Sequence, residues 1–86
     1  MPEISRFFGI VITMYHGDHD PPHFHARYGA FQAEIDIRDG VIRNGRLPNR
    51  ALALVREWAT LHRDELAANW GRARQMVELN AVEPLD

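Results

Sequence analysis

The spacing of hydrophobic residues changes once along this chain, at Pro48. Before Pro48, apolar residues occur in short runs or in alternation, which is typical of β-strands. After Pro48 they recur every three or four residues, which is typical of amphipathic α-helices. Because 86 residues are too few to form two hydrophobic cores, we expect a single domain over residues 1–86 in which a β-sheet precedes the helices.

The first predicted strand covers residues 4–15. This segment is almost continuously apolar and rich in β-branched and aromatic side chains, as expected of a central strand. A loop is predicted at residues 17–22, because this segment consists of turn-forming residues and its two prolines cannot donate hydrogen bonds to a sheet.

Two further strands are predicted from strict alternation, at residues 23–28 and 31–38. The pair Asp39-Gly40 predicts a type I′ hairpin turn. A short return strand at residues 41–43 would then end at Asn44-Gly45. Alternation of this kind indicates an antiparallel sheet with one buried face.

A wide apolar stripe follows Pro48. It consists of Ala51, Leu54, Val55, Trp58, Leu61, His62 and Leu66. Asp64 is a candidate N-cap for a second helix that continues toward Met76, and Gly71 weakens that segment, so one bent helix and two helices both stay open. The predicted class is α+β, with a small antiparallel sheet of three or four strands followed by one long or two C-terminal helices packed on one face. We expect Trp58 and Trp70 to anchor the core.

Composition excludes several classes of site. The chain has no cysteine, so it has neither disulfides nor thiolate zinc ligands nor a cysteine nucleophile. Its fold must depend on packing alone or on a partner subunit, which leaves a homo-oligomer open. No run approaches the roughly 18 apolar residues of a membrane-spanning helix, so we expect a cytoplasmic protein without a membrane partner.

Four of the five histidines lie between positions 16 and 25. Residues two apart on a strand project to the same face, so His23 and His25 can approach one ligand. A third ligand could come from His19 or from a neighbouring His or Asp of the loop. Since imidazole suits first-row metals, the sequence predicts a divalent ion such as Zn²⁺ at His19, His23 and His25.

Two alternatives to a metal site stay open. The histidines could form a polar but inactive sheet face, capping carbonyls or pairing with Glu34 and Asp36 on the neighbouring strand. They could also act without metal, in a catalytic or phosphate-binding set composed of His23, His25, Arg27 and Tyr28.

Every basic residue is an arginine, and the arginines are unevenly distributed. The net charge of −2 is composed of −3 over residues 1–42, +4 over residues 43–74 and −3 over the remaining tail. Arg43, Arg46 and Arg50 surround the predicted helix start, where backbone N–H groups also attract anions, so they form a candidate anion or nucleic-acid site. Alternatively, they pair with Glu34, Asp36 or Asp39, or stay solvated.

Several segments of the chain form a recognisable set. They are residues 2–12, Met14-Tyr15, residues 20–28, Leu47-Pro48, and the helical residues Trp58, His62, Glu65, Leu66 and Trp70. Together they resemble a small bacterial family known only as a domain of unknown function, and Pro-Pro-His-Phe-His at residues 21–25 is the most specific part. Members of that family resemble one half of a two-gene cassette and are often described as toxin–antitoxin components or regulators.

Two functional hypotheses of different kinds stay open. The resemblance implies a component of a toxin–antitoxin-like module that acts through a protein partner encoded nearby, with nucleic acid as a further partner. The histidine cluster instead indicates a metal-binding protein or small metalloenzyme. The sequence does not decide whether the chain is an enzyme.

Overall fold

The computed structural model describes residues 2–86 as a five-stranded antiparallel sheet followed by two helices. The strands pair in chain order, each with its neighbour. The elements are β1 (Glu3–Phe7), β2 (Ile10–Thr13), β3 (His23–Tyr28), β4 (Phe31–Asp36), β5 (Ile42–Arg46), α1 (Asn49–Leu61) and α2 (Arg63–Arg74). The predicted α+β class is confirmed. The sheet has five strands, whereas three or four were expected.

The additional strand arises because residues 4–15 form a hairpin and not one strand. Phe8 and Gly9 both have positive φ, 49° and 79°, and Phe7 lies opposite Ile10. Two positive φ values in a two-residue loop are the requirement of a type I′ turn. The apolar run hides this turn because both strands bury side chains, and Gly9 is the signal that indicates it.

The β4–β5 connection also differs from the prediction. β4 ends at Asp36, and φ is positive at Gly40 but not at Asp39, so the predicted type I′ turn is wrong. β5 continues through Asn44-Gly45 instead of ending there. Gly45 has φ 79°, and a Cβ at this position would lie 2.2 Å from the carbonyl oxygen of Gln32. Glycine here lets the bulged β5 backbone approach β4.

The helical region forms two helices that meet at His62. His62 has φ −119°, and its backbone N–H donates to the carbonyl groups of Trp58 and Ala59, which closes α1. Its ring Nδ1 lies 2.6 Å from a carboxylate oxygen of Glu65. α2 runs through Gly71, and Asp64 lies in its first turn and is not its N-cap.

One face of the sheet packs against the helices. The fully buried strand residues on this face include Ile10, Ile12, Phe24, Ala26 and Ile35. The ring of Trp58 in α1 packs against this face, with its centroid 5.4 Å from that of Phe7 and 5.8 Å from that of Phe24. Trp58 and Trp70 are both buried, as predicted.

The opposite face, here called the open face, is not covered by the helices except at the start of β3, where the His23 ring packs against that of Trp70 in α2. Strand register places two rows of side chains across it. One row contains Thr13, His25, Glu34 and Asn44, and the next contains Val11, Arg27, Gln32 and Arg46. The alternation of β3 therefore directs Phe24 and Ala26 to the core and His25 and Arg27 to the open face.

The segment after α2 is irregular, and several hydrogen bonds hold it against the rest of the domain. The amide of Asn69 donates to the carbonyl of Asn80 at 2.8 Å and accepts from its N–H at 2.9 Å. Trp58 Nε1 donates to the carbonyl of Glu83, and the N–H of Val82 donates to Ile4. Within residues 2–86, neither helix is long and apolar enough to cross a membrane.

Candidate metal centre

The loop between β2 and β3 folds back over the start of β3. Its position is fixed by the last turn of α2, because the N–H of Gly17 donates to the carbonyl of Ala73 at 3.1 Å. The ring Nε2 of His16 also lies 2.8 Å from the carbonyl oxygen of Val77. These contacts place the next loop residue, Asp18, beside the two histidines of β3.

Asp18, His23 and His25 form a compact group of potential ligands. The Oδ2 atom of Asp18 lies 3.0 Å from Nε2 of His23 and 3.4 Å from Nε2 of His25. Each of the three residues offers a ligand atom within 4.8 Å of the other two. Among the described residues, this is the group of acidic and histidine side chains that could hold a metal ion.

His23 is the buried member of the group, with 4% of its surface exposed. Its ring packs against those of Trp70 and His25, each with a centroid 5.2 Å away. Its Nδ1 lies 2.9 Å from the carbonyl oxygen of Pro21. Because a carbonyl can only accept a hydrogen bond, Nδ1 must carry the hydrogen, which leaves Nε2 of the neutral ring with a lone pair.

That lone pair faces two carboxylates. Nε2 of His23 lies 3.0 Å from Asp18 Oδ2 and 3.3 Å from Glu34 Oε1. Three electron-rich atoms at these distances repel one another unless a positive charge lies between them. A second proton on the His23 ring or a metal ion would supply that charge.

Glu34 and Tyr15 extend the site onto the open face. Glu34 lies opposite His25 in the strand register, and its Oε2 accepts a hydrogen bond from Asn44 at 3.2 Å. The Tyr15 ring meets the His25 ring edge-on at a centroid distance of 4.6 Å. These residues line an open groove of about 420 Å³.

The pKa values of two carboxyl groups near the site, those of Asp18 and Asp20, are lowered by their contacts. Burial raises the pKa of Asp18, but hydrogen bonds from the His19 N–H and from His25, together with the charge of His23, bring it below its usual value. A hydrogen bond from Arg74 lowers the pKa of Asp20, and the two side chains pair at 2.6 Å.

Of the loop residues that could supply a third ligand, the structure brings Asp18 to the two histidines of β3 and leaves His19 apart. His23 and His25 converge, but the His19 side chain is 95% exposed and outside the group. Its Nδ1 lies 3.6 Å from Asp18 Oδ1, the oxygen that accepts the backbone N–H of His19. Asp18 takes the third position because its side chain points toward the start of β3 while that of His19 points to solvent.

The predicted catalytic set is only partly assembled. Arg27 lies on the open face, two residues along β3 from His25. Tyr28 lies on the opposite face at the far end of the strand, with its ring against Gly9. The proximity of Tyr15, Glu34 and Asn44 to His25 does not follow from the sequence, since it depends on which strands pair and in which register.

The three arginines of the predicted anion site have different surroundings. For Arg43 the alternative of ion pairing is confirmed, since its Nη1 lies 3.7 Å from Asp36 Oδ2. The Arg46 guanidinium lies over the Phe31 ring, 5.2 Å from its centroid. Arg50 lines a second, apolar groove beside the first turn of α1.

Comparison with known proteins identifies the family. The model of the family described as Domain of unknown function (DUF4160) matches residues 9–71. The chain therefore belongs to this family, as its resemblance indicates. No curated protein and no solved structure matches the chain.

Proposed function

We propose that this member of the DUF4160 family binds a divalent first-row metal ion, Zn²⁺ first among them, through Asp18, His23 and His25. The observation that carries the proposal is the position of the buried His23 Nε2, which lies 3.0 Å and 3.3 Å from two carboxylates while Nδ1 is held by the carbonyl of Pro21. A cation at this point would relieve the repulsion between the His23 lone pair and the carboxylates of Asp18 and Glu34.

The separations between the ligand atoms support a tetrahedral ion. Ligands about 2.0–2.1 Å from zinc at tetrahedral angles lie roughly 3.3 Å from one another. The corresponding distances here are 3.0 Å for His23 to Asp18 and 3.4 Å for His25 to Asp18. The side chains would need to move little to accept the ion.

The surroundings of the ligands also fit a metal centre. Histidines that bind metals usually donate their other ring N–H to a carbonyl or carboxylate, which fixes the ring and its tautomer. His23 has such a partner in Pro21. Asp18 Oδ1 accepts the backbone N–H of His19 at 3.0 Å, which leaves Oδ2 for the ion.

A fourth ligand position would be available to Glu34 or to water from the groove. Three protein ligands with an open fourth position are typical of catalytic zinc, which lowers the pKa of a bound water to about 7. Glu34 could accept a proton from such a water, and Tyr15 and Asn44 could orient a substrate in the groove. The proposal therefore includes metal-dependent hydrolysis as the chemistry that this site fits best.

Calorimetric titration of untagged, chelator-treated protein with Zn²⁺ tests the binding. We expect one ion per chain, with affinity reduced at least about 100-fold in His25→Ala and in Asp18→Asn. His19→Ala is the matched control, because it removes a neighbouring histidine that lies outside the group. The proposal is wrong if the wild type takes up no metal, or if His19→Ala loses as much affinity as His25→Ala.

The toxin–antitoxin-like function stays a separate prediction. Its test is co-expression with the product of the adjacent gene, where a stable complex or a growth effect of either protein alone is expected. The absence of both would remove its basis. The feature of this chain that favours a protein partner is an exposed apolar groove at the other end of the sheet.

A further inference from the structure

Phe8 is an unusual residue at the tip of the β1–β2 hairpin. Its backbone has φ 49°, a conformation that Asn and Gly adopt readily and that bulky residues adopt rarely. In the left-handed conformation the Cβ lies too close to the following carbonyl oxygen, so a residue with a side chain adopts it at a cost in free energy. The side chain is nevertheless 57% exposed, so packing returns little of that cost. Folding alone would favour Asn at this position, so Phe8 needs another explanation.

An apolar groove lies beside Phe8. It has a volume of about 160 Å³, and its wall includes Ile10, Tyr28, Ala51 and Leu54. Tyr28, on the same rim, is 40% exposed. Exposed aromatic residues beside an apolar groove are typical of protein-binding sites, where they fill pockets at the centre of the interface.

The rim of this groove is positively charged. Arg50 is the one charged residue in its wall. The first turn of α1 contains no acidic side chain, and Pro48 has no side-chain acceptor with which to cap it, so its N–H groups stay available.

We infer that this groove binds an acidic segment of a partner protein. An aromatic or aliphatic side chain of that segment would fill the groove between Phe8 and Leu54. Its carboxylates would contact Arg50 and the first turn of α1, where both the guanidinium group and the backbone N–H groups donate hydrogen bonds.

The charges favour a protein segment over nucleic acid. Nucleic-acid sites depend on several cations that contact phosphates. Here Arg43 pairs with Asp36, and the chain carries a net charge of −2. The single arginine in the groove wall, together with the first turn of α1, suits a short acidic segment better than a phosphate backbone.

The groove is separate from the candidate metal centre. His23 and Tyr28 are at opposite ends of β3, which are roughly 16 Å apart along a strand of this length. They also lie on opposite faces of the sheet. The inference therefore does not depend on metal binding.

Selection of random twelve-residue peptides displayed on phage tests the inference, with Phe8→Asn protein used for counter-selection. Asn-Gly is the preferred type I′ pair, so this variant should fold at least as stably as the wild type. We expect the selected peptides to combine two or more acidic residues with an aromatic or large aliphatic residue. Fluorescence anisotropy should show at least 10-fold weaker binding to Phe8→Asn.

Two further variants give controls. Arg50→Glu should weaken binding at least 10-fold, and peptides with Lys in place of their acidic residues should recover it. Leu61→Gln is a control for Phe8→Asn. It removes an apolar side chain of similar exposure that lies on α1 outside the groove, so it should leave binding unchanged.

Several results would overturn the inference. They are a selection without enrichment, peptides that lack acidic residues, and equal binding to wild type and Phe8→Asn. Self-association lost in Phe8→Asn would identify a second copy as the occupant instead. RNA binding lost in Phe8→Asn would likewise identify a nucleic acid.

Discussion

The two faces of the sheet use adjacent residues of one strand for different purposes. Phe24 is fully buried beneath Trp58 and contributes to the core. His25, the next residue, lies on the open face beside Asp18 and Glu34. On the covered face, shape and apolar area decide which residues are acceptable. On the open face, polar side chains converge on Asp18 without contributing to the core, and the proposed metal centre lies there.

The covered face should be the more sensitive to substitution. Trp58→Ala should lower the free energy of unfolding by about 3–5 kcal/mol, because it leaves a cavity between α1 and the rings of Phe7 and Phe24. Urea denaturation followed by circular dichroism measures the loss. A loss below about 1.5 kcal/mol would contradict the view that this ring anchors the helices to the sheet.

The β5 bulge should be the next most sensitive feature. Gly45→Ala should cost at least about 2 kcal/mol, because the added Cβ meets the Gln32 carbonyl oxygen and the backbone is left-handed. Gly71→Ala is the matched control. A Cβ at Gly71 meets no atom within 4 Å, and its exposed helical position should gain up to about 1 kcal/mol. Similar effects of the two substitutions on the melting temperature would refute this description of β5.

Asp36 should make stability depend on pH. Its hydrogen bonds to the Arg38 side chain and backbone hold the pKa of its buried carboxyl below the usual value. The unfolded chain therefore binds the proton more readily than the folded chain. The stabilisation is complete above about pH 4, the usual Asp pKa, and is lost as pH falls through the lower folded value.

Asp36→Asn should remove about 1.5–3 kcal/mol at pH 7 and flatten the acid side of the stability profile. Urea titrations between pH 2 and 7 measure this. The exposed Glu57 provides a control, since Glu57→Gln should leave the profile nearly unchanged. An unaltered profile in Asp36→Asn would show that other carboxyls cause the acid sensitivity.

His25→Ala should have the smallest effect on the metal-free protein, below about 1 kcal/mol, because its side chain is 28% exposed and lies outside the hydrophobic core. Phe24→Ala, one residue earlier, should cost about 3–5 kcal/mol. Zn²⁺ should raise the melting temperature of the wild type but not of His25→Ala. Zinc stabilisation that survives in His25→Ala would locate the ion elsewhere.

The main elements of the fold could be predicted because their signals are local. Strict alternation in residues 31–36 and the helical stripe after Pro48 each follow from burial of one face. The Phe8-Gly9 turn is hard to recognise, because a hydrophobic residue occupies a position that usually takes Asn or Gly and Gly9 is its one signal. The extent of β5 was also hidden, because Asn44-Gly45 is a turn signal that the structure uses for a bulge.

The candidate site could be predicted in part for a similar reason. His23 and His25 share a face through spacing alone. Selection of Asp18 over His19 depends on how the loop rests against α2, which is a tertiary contact that neighbouring residues do not encode. The position of Glu34 depends on the β3–β4 register, which is fixed by the whole sheet.

Histidine side-chain ¹H–¹⁵N spectra during titration with Zn²⁺ test the central claim most directly. Before metal is added, His23 should carry its hydrogen on Nδ1. One equivalent of Zn²⁺ should then shift the Nε2 signals of His23 and His25 and leave those of His16, His19 and His62 unchanged. Shifts centred on His16 or His19, or no shift at one equivalent, would contradict the proposed metal centre.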